Sequence, residues 1–360
     1  MSTKAEIRPS AERPFDVIAV AGVDVDLVLM VDRLPGHGEK VMGRLVGRLP
    51  GGTVANFACA ASQLGLRVAS FATVGADEAG RLVVADFERF GVATEFVRVR
   101  PDVETHFTVI LVEPSGERSI VVVPMFKERF DLDLAGRALS LARAFYMMPN
   151  DAEQFVRLAE IARANSARVM IDVEPTIGAD RHTLEMLLAW VDIASFNHLG
   201  LTAVSGEEPT VEGARRLLAY GPHTIVVTLG SRGALAVTAA DAAQVEGFSV
   251  PVRDTTGAGD TFNAAFLSAT LRGEPLAQRL RFANAAAAIA VTGVGPRGHL
   301  PARAEVESFL AGGRQRMGKG TNGEENEGMN WEGSELGEMN GEGNEGMNWG
   351  GNELAYEHGK

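Results

Sequence analysis

The residues with the clearest chemical potential lie in one short stretch, RDTTGAGDTFNAAF, at positions 253–266. Gly257, Ala258 and Gly259 precede an apolar run typical of a buried helix, so we expect them at a helix N-terminus. Unpaired backbone N–H groups and the positive end of the helix dipole converge at such a terminus. Glycine also lets a ligand approach the backbone closely. The stretch therefore indicates a site for an anion such as phosphate.

Asp260 follows this glycine-rich turn directly, so its carboxylate would lie in the first turn of the helix, beside the bound anion. A carboxylate in that position can accept the proton of an attacking hydroxyl group during phosphoryl transfer. The residue types alone leave a second interpretation open, in which Asp260 only caps the helix.

A second group of polar residues lies near the N-terminus, in AGVDVD and GGTVANFACAASQLG. Asp24 and Asp26 follow an apolar strand, and Asn56 belongs to a segment with helical spacing of small apolar residues. Short carboxylates and amides suit vicinal hydroxyl groups, because each can bond to two of them. A solvated loop is an equally good interpretation of the two aspartates.

The elements that must position these residues alternate between strand and helix patterns from about residue 131 onward. This alternation predicts βαβ units, and hence an α/β fold with a mostly parallel central sheet flanked by helices on both faces. A strand ending near Val252 and a helix beginning near Thr261 would frame the glycine-rich turn. HFTVILVEPSGERSIVVV predicts a β-hairpin around residues 114–117.

Composition and charge restrict the classes of function. The chain has 46% hydrophobic and 22% charged residues, typical of a globular protein with a large core. Its net charge is −13, and the ten Glu and one Lys after residue 320 account for −9 of it, so the body lacks the basic face that nucleic-acid binding needs. A single cysteine, no secretory signal and no apolar run of membrane-spanning length predict a cytoplasmic protein.

Three segments are expected. Residues 1–14 form a disordered lead-in, residues 15–312 form the folded domain, and residues 313–360 form an acidic tail rich in Gly, Glu and Asn. The tail contains EGMNW twice and cannot bury enough surface to offset its ordering entropy, so we expect it to be disordered.

The stretch DTTGAGDTF resembles, nearly letter for letter, the signature of the ribokinase-like (PfkB) carbohydrate kinases, and the resemblance extends over residues 15 to 310. It implies a ribokinase-like fold with a small β lid, from about residues 24–50 and 105–124. It also implies ATP with Mg²⁺ as phosphoryl donor. Gly257, Ala258 and Gly259 would form the anion hole, and Asp260 would be the catalytic base. Asp254 and Thr256 match a site for a monovalent cation such as K⁺.

The resemblance assigns the remaining site residues by their motifs. The sugar would contact Asp24, Asp26, Gly51, Gly52 and Asn56, although Asp24 stands where related kinases often have Asn. The nucleotide would contact Asn197, Thr228, Gly230, Ser231, Gly233 and Asn284, the last of them beside the adenine.

Two motifs depart from the family pattern. NHLG keeps Asn197, which would reach Mg²⁺ through water, but Gly200 replaces the Glu of N-x-x-E; Glu174 or Asp172 could substitute for it. YMMPN stands where ribokinases place a substrate-contacting Glu, which weakens ribose as the acceptor. GVGPRG, residues 293–298, has the spacing of a dinucleotide motif but follows a helix, so it is not interpreted as one.

The resemblance predicts phosphorylation of a primary hydroxyl group on a neutral sugar, in a homodimer formed through the lid. A nucleoside acceptor stays open, with Phe107 and Phe126 as candidates for an aromatic wall, and so does a sugar phosphate, with Arg44 and Arg48 as cations. A catalytically weak sugar- or nucleotide-binding protein is the alternative of another class.

Overall fold

The structure is a computed structural model that describes residues 13–115, 117–175 and 181–312. Nearly all of the predicted lead-in, residues 1–12, and the whole predicted acidic tail lie outside the described residues. None of the described helices combines the length and apolar character needed to cross a lipid bilayer.

An eight-stranded sheet forms the centre of the molecule. Its strands, in chain order, are β1 Phe15–Val20, β4 Val68–Phe71, β9 Ala142–Met147, β10 Arg168–Val173, β11 Ile193–Asn197, β12 Thr224–Thr228, β13 Ala234–Thr238 and β14 Ala242–Val245. They are arranged in the order β14-β13-β12-β11-β10-β9-β1-β4, and all pairs are parallel except the two that involve β13. Buried apolar residues predominate along the parallel strands because both faces are covered.

Ten α-helices are found in the described residues. They are α1 Thr53–Gln63, α2 Glu78–Arg89, α3 Leu132–Ser140, α4 Ala152–Ala164, α5 Arg181–Leu188, α6 His198–Ser205, α7 Val211–Leu217, α8 Ala258–Leu271, α9 Leu276–Ala290 and α10 Arg303–Gly312. The helices α1, α2, α8, α9 and α10 pack on one face of the central sheet, and α3 to α7 pack on the other. The predicted three-layer α/β architecture is confirmed.

A second sheet, which we call the small sheet, covers one end of the central one. Its strands are β2 Asp24–Val31, β3 Gly43–Gly51, β7 Phe107–Val112 and β8 Arg118–Val123, in the order β3-β2-β7-β8. The strands β7 and β8 form the predicted hairpin. A separate pair, β5 Thr73–Gly75 and β6 Arg98–Arg100, lies nearby. The predicted small β lid thus corresponds to a separate four-stranded sheet.

Close packing of α8 against α1 and α9 brings distant parts of the sequence together. Ala264, Ala265 and Ala269 of α8 are fully buried, and such small side chains let neighbouring helices approach closely. This packing places the first turn of α1 beside the first turn of α8, which are about 200 residues apart in the sequence.

The boundary predicted for α8 was wrong in two respects. The helix begins at Ala258 rather than near Thr261, because the left-handed Gly257 (φ +75°) serves as its N-cap and Ala258 already favours the helix. The strand expected to end near Val252 is absent, since residues 246–257 form no strand; the backbone N–H groups of Arg253 and Asp254 bond instead to the carbonyl of Val291, after α9.

Candidate active site

A cavity of about 850 Å³ lies between the small sheet and the carboxyl ends of the central strands. Ligands of open α/β sheets bind at these strand ends. The sequence-predicted site residues that line it are Asp24, Asp26, Gly52, Asn56, Asn197, Thr228, Thr256, Gly257, Gly259 and Asp260. The structure therefore brings the predicted sugar, phosphate and base positions to one space.

Other predicted residues lie beside the cavity or away from it. Gly51 is next to Asp24 and Asp26, and a side chain on it would collide with both carboxylates. Gly233 is left-handed and lies against the backbone of β14. Ala258, Gly230, Ser231 and Asp254 are also absent from the cavity lining.

Asn284 differs most from its prediction. Its amide group donates to the carbonyls of Val245 (3.0 Å) and Glu246 (3.1 Å), so it fastens α9 to the chain around the end of β14. The side chain does not line the cavity, and the predicted contact with adenine gains no support. The resemblance predicted the helix that carries Asn284, but tertiary packing determined which groups the amide bonds.

Asp260 is buried in the first turn of α8, and its Oδ2 accepts a hydrogen bond from Asn56 Nδ2 at 2.9 Å. Burial raises the pKa of Asp260 to about 7, and the hydrogen bond from Asn56 opposes this rise. Glu174 and Asp24 add a smaller upward contribution through charge repulsion. A carboxylate that changes protonation near neutral pH can act as a general base at physiological pH.

Asp24 and Asp26 project from β2 into the same cavity, and burial raises the pKa of both carboxyls. The pKa of Asp26 reaches about 7, because the charge of Asp24 adds to the effect of burial. Asp24 Oδ2 accepts from Thr108 at 3.1 Å. Two buried side-chain atoms have no hydrogen-bond partner within the described part of the chain, Asp24 Oδ1 and Thr261 Oγ1. A buried acceptor without a partner is typical of a site that binds a donor such as a hydroxyl group.

Replacing Asp26 with Asn is expected to stabilise the ligand-free protein at pH 8, by on the order of 2 kcal/mol. The raised pKa of Asp26 means that its ionisation destabilises the folded state progressively between about pH 4, the unfolded value, and about pH 7. Asn avoids this ionisation, so its advantage should grow as the pH rises through this range and level off above pH 7. Urea unfolding at pH 5 and pH 8 measures it.

Asp16 provides a matched control at the opposite end of the sheet. Burial would raise the pKa of Asp16, but hydrogen bonds from Arg67 and Arg143 outweigh burial and lower it. Replacing Asp16 with Asn should therefore destabilise the protein at both pH values. A loss of stability at pH 8 in the Asp26 variant would contradict the raised pKa of Asp26.

The N-terminus of α8 is open toward the cavity. No side chain caps it, and its first N–H groups have no helical partner. Gly257 is left-handed, and a Cβ on it would lie 2.7 Å from the carbonyl oxygen of Pro296. A Cβ on Gly259 would meet no atom within 4 Å, although this residue also lines the cavity. Packing against Pro296 explains why position 257 needs a glycine. No such contact explains the glycine at position 259, and its lack of a side chain fits a ligand that must approach the backbone closely.

A family model described as pfkB family carbohydrate kinase matches residues 16–303. The chain belongs to the pfkB family. A ribokinase of Haemophilus influenzae is 28% identical to it over 300 residues, which cover 81% of this chain and 97% of that protein. A nucleoside kinase of Methanothermobacter thermautotrophicus is 28% identical over 305 residues, covering 82% and 96%. The solved structure of Arabidopsis thaliana ribokinase complexed with ribose and ATP has a TM-score of 0.72 at 26% identity, covering 82% of this chain and 98% of that one.

Membership of the pfkB family makes this protein an ATP-dependent carbohydrate kinase, with an alcohol group as phosphoryl acceptor. The predicted recognition, fold class and enzyme class are thereby confirmed.

The chain lacks the Glu of the N-x-x-E motif, because Gly200 stands in its place, and the Asn of this motif caps a helix. Asn197 is the N-cap of α6, and its Oδ1 accepts from the Gly200 N–H at 2.6 Å. A Cβ on Gly200 would lie 3.2 Å from both Asn197 Oδ1 and the carbonyl of Val173. Glu174, which follows β10, and the half-buried Asp172 both line the cavity, and burial raises the pKa of both.

The residues predicted to hold a monovalent cation are contacted by an arginine. Arg118 of β8 contacts Thr256 and lies 3.4 Å from Asp254 Oδ1. Burial would raise the pKa of Asp254, but hydrogen bonds from Thr256 and from the Gly295 N–H outweigh it and lower the pKa. A positive charge from the small sheet thus lies beside the glycine-rich turn.

Two polar groups near the site were missed by sequence reasoning. Tyr146 is fully buried, stacks on Phe57 and accepts a hydrogen bond from Asn263. Arg297, in the GVGPRG segment, donates to Asn56 Oδ1 at 3.0 Å and pairs with Asp86. The only sequence signal for Arg297 was a charged residue in a Gly/Pro-rich loop, which does not reveal a buried partner.

Proposed function

We propose that this protein transfers the γ-phosphoryl group of ATP to a primary hydroxyl group of a small neutral sugar, with Asp260 as general base. The observation that carries the proposal is the position of Asp260. Its buried carboxylate titrates near neutral pH, belongs to the open N-terminus of α8, and faces the same cavity as the hydroxyl-binding residues. A base, an anion site and an acceptor site therefore share one space.

The acceptor end of the cavity suits a polyhydroxyl ligand. Asp24, Asp26, Gly51, Gly52 and Asn56 would bind the sugar, and the unpartnered Asp24 Oδ1 supplies an acceptor for one hydroxyl group. A hydroxyl group that bonds there would satisfy an atom whose isolation is otherwise unfavourable. Arg44 and Arg48 do not line the cavity, so the structure gives a sugar phosphate no such support.

The donor end would use the backbone of Gly257, Ala258 and Gly259 as an anion hole, where N–H groups stabilise the charge that develops on the transferring phosphoryl group. Asn197 and Thr228 line the same cavity as these glycines. Gly230, Ser231 and Gly233 would lie beside the bound nucleotide. Asp260 would accept the proton of the attacking hydroxyl group.

Mg²⁺ would neutralise charge on the phosphate oxygens during transfer. No group of three or more His, Cys, Asp or Glu side chains that could hold a metal occurs within the described ranges. This fits an ion held mainly by phosphates and water, as is common for Mg²⁺ in kinases. Asn197, Glu174 and Asp172 offer the oxygen atoms at this end, and Glu174 compensates for the absence of a carboxylate at Gly200.

The small sheet would act as a lid and as a dimer surface. Several of its apolar side chains that do not line the cavity are exposed, namely Leu45, Val46, Leu49 and Val121, together with the adjacent Met42. Met42 is 89% exposed, and exposed apolar groups of this kind are typical of surfaces that become covered. We therefore retain the homodimer through the lid as part of the proposal.

A nucleoside is the second candidate acceptor, and one observation favours it. His106 and Phe126 stack with their ring centroids 4.1 Å apart, and both line the cavity. Burial lowers the pKa of His106, so its ring is neutral at physiological pH. A flat aromatic base could pack against this pair. Phe107, the other predicted wall residue, does not line the cavity.

The test is a panel of pentoses, hexoses, nucleosides and sugar phosphates, read by ADP release with and without Mg²⁺ and with K⁺ or Na⁺. We expect the highest kcat/KM for a neutral sugar, no turnover without Mg²⁺, and little K⁺ stimulation, because Arg118 already supplies a cation at Asp254. A nucleoside that exceeds every sugar would favour the second candidate. Measurable ligand binding without turnover of any acceptor would support the binding-protein alternative and contradict the proposal.

A further inference from the structure

A chain of buried polar contacts runs behind the proposed base. Asp260 accepts from Asn56 Nδ2 at 2.9 Å, and Asn56 Oδ1 accepts from Arg297 Nε at 3.0 Å. The same guanidinium donates to the Gly51 carbonyl at 3.0 Å and pairs with Asp86 of α2. The side chain of Arg297 is only 8% exposed. One arginine thus connects the end of β3, α1 and α2 behind the cavity.

The contacts of Arg297 determine which way the Asn56 amide faces. An arginine side chain can only donate hydrogen bonds, so the atom of Asn56 that meets Arg297 must be the acceptor Oδ1. The Asn56 NH₂ group must then face Asp260, where it can donate to the carboxylate. In the opposite orientation Oδ1 would face the carboxylate of Asp260, and the two acceptors would repel each other. Asn56 alone has no preference between these orientations.

The charge of Arg297 acts in the same direction as this hydrogen bond. Burial raises the pKa of Asp24, Asp26 and Asp260, and the positive charge of Arg297 opposes the rise at all three. The charged and titratable groups that face this network come from several elements and are Asp24 and Asp26 of β2, Cys59 of α1, Asp86 and Arg89 of α2, Tyr146 of β9, Asp172 and Glu174 at the end of β10, and Asp260. Arg297 is buried among mainly acidic groups.

We propose that Arg297, held in place by Asp86, is a positioning residue that fixes the orientation of Asn56 and thereby keeps the base Asp260 ready to accept a proton. The inference rests on the proposed function in one respect, the role of Asp260 as the base. A purely structural role, in which the Arg297–Asp86 pair only fastens the loop after α9 to α2, is the alternative that an experiment must separate from it.

Replacing Arg297 alone would leave the buried carboxylate of Asp86 with only the exposed Arg89, 3.8 Å away, as an ionic partner, and could unfold the protein. The test therefore uses the double variant Asp86→Asn/Arg297→Met, which removes both charges. Arg297→Lys is the second variant; it keeps the charge but lacks the planar fork that bonds Asn56, Gly51 and Asp86 together. Asp16→Asn/Arg143→Met is the matched control, because this pair is also partly buried but lies at the other end of the sheet.

The first measurement needs no turnover. The Asp side-chain carboxyl carbons are followed by NMR from pH 5 to 9, and the Asp260 signal is assigned by its loss in Asp260→Asn. We expect the Asp260 titration to move to higher pH in the double variant, to move by a smaller amount in Arg297→Lys, which keeps the charge but loses the fork that orients Asn56, and to be unchanged in the control. An Asp260 titration that is the same in the wild type and the double variant would overturn the inference.

The second measurement is the pH profile of kcat/KM with the best acceptor found. Because the base must be deprotonated, the double variant should lose roughly tenfold more activity at pH 6 than at pH 8.5, relative to the wild type. In Arg297→Lys, kcat should fall at all pH values. If the double variant loses kcat/KM equally at all pH values, and the pH below which kcat/KM falls is the same as in the wild type, the structural alternative is supported. A wild type that turns over no acceptor while the NMR shift is still present would contradict the proposed function and leave the positioning role standing.

Discussion

Asp260→Asn is expected to lower kcat by roughly 10²–10⁴-fold, the usual contribution of a general base. The amide has nearly the same shape as the carboxylate, and its oxygen can still accept the 2.9 Å hydrogen bond from Asn56, so the site should keep its geometry. What is lost is the ability to take a proton. The substitution also removes an ionisable group whose pKa burial has raised, so the folded protein should become more stable above pH 7.

Steady-state ADP release measures the loss of activity, and calorimetric titration with ATP checks that nucleotide binding is retained. In the wild type, kcat/KM should fall about tenfold per pH unit below about pH 7, because protonated Asp260 cannot act as a base. Activity of Asp260→Asn within tenfold of the wild type would rule out the assignment of the base.

Gly259→Ala is expected to stabilise the protein slightly and yet to lower kcat/KM for ATP by about 10²-fold. Alanine in a helix is favoured over glycine by roughly 0.5–1 kcal/mol, and the added methyl group would meet no protein atom within 4 Å. The methyl group would instead occupy the opening of the α8 N-terminus, where the phosphate must approach the N–H groups. Losing one stabilising donor of an oxyanion site costs about 10²–10³-fold in rate.

Two further variants separate this steric effect on the ligand from an effect on the fold. Gly136→Ala is the matched control, because Gly136 is also a helical glycine whose Cβ would meet nothing, and it should gain stability without a kinetic change. Gly257→Ala should lose both stability and activity, since its left-handed backbone and the 2.7 Å approach to Pro296 leave no room for a side chain. Unchanged kinetics in Gly259→Ala would show that the phosphate does not bind at this terminus.

The positions around α8 illustrate what could be predicted from the sequence. Gly257, Gly259 and Asp260 were predicted correctly as neighbours at a helix N-terminus, because local chain geometry determines their relation. The alternation of strand and helix patterns likewise predicts the layers of the fold, since each pattern reflects which faces are buried. These features depend on residues that are close in sequence.

Features that depend on distant residues were not predictable in the same way. Asn284 is buried at its expected place in α9, but its partners are carbonyls about 40 residues earlier in the chain. Arg297 and Asp86 are 211 residues apart, and neither has a local pattern that indicates a buried ion pair. A strand was expected before Gly257, but the chain there is bonded to the carbonyl of Val291 instead. This difference is also an effect of tertiary packing. Packing between helices determines which side chains become partners, and the residue spacing within a single segment does not indicate these partners.

The contact between Asn56 and Arg297 has a consequence for the order in which the enzyme matures. The two residues are separated by 241 positions, so at about 5–20 residues per second the ribosome adds Arg297 roughly 10–50 s after Asn56. During that interval the nascent chain already contains Asn56, and toward its end also Asp260 and the glycine-rich turn, but it lacks the guanidinium that bonds the amide of Asn56 in the folded protein. If Arg297 positions Asn56 as proposed, competence for phosphoryl transfer is among the last properties that the growing polypeptide acquires.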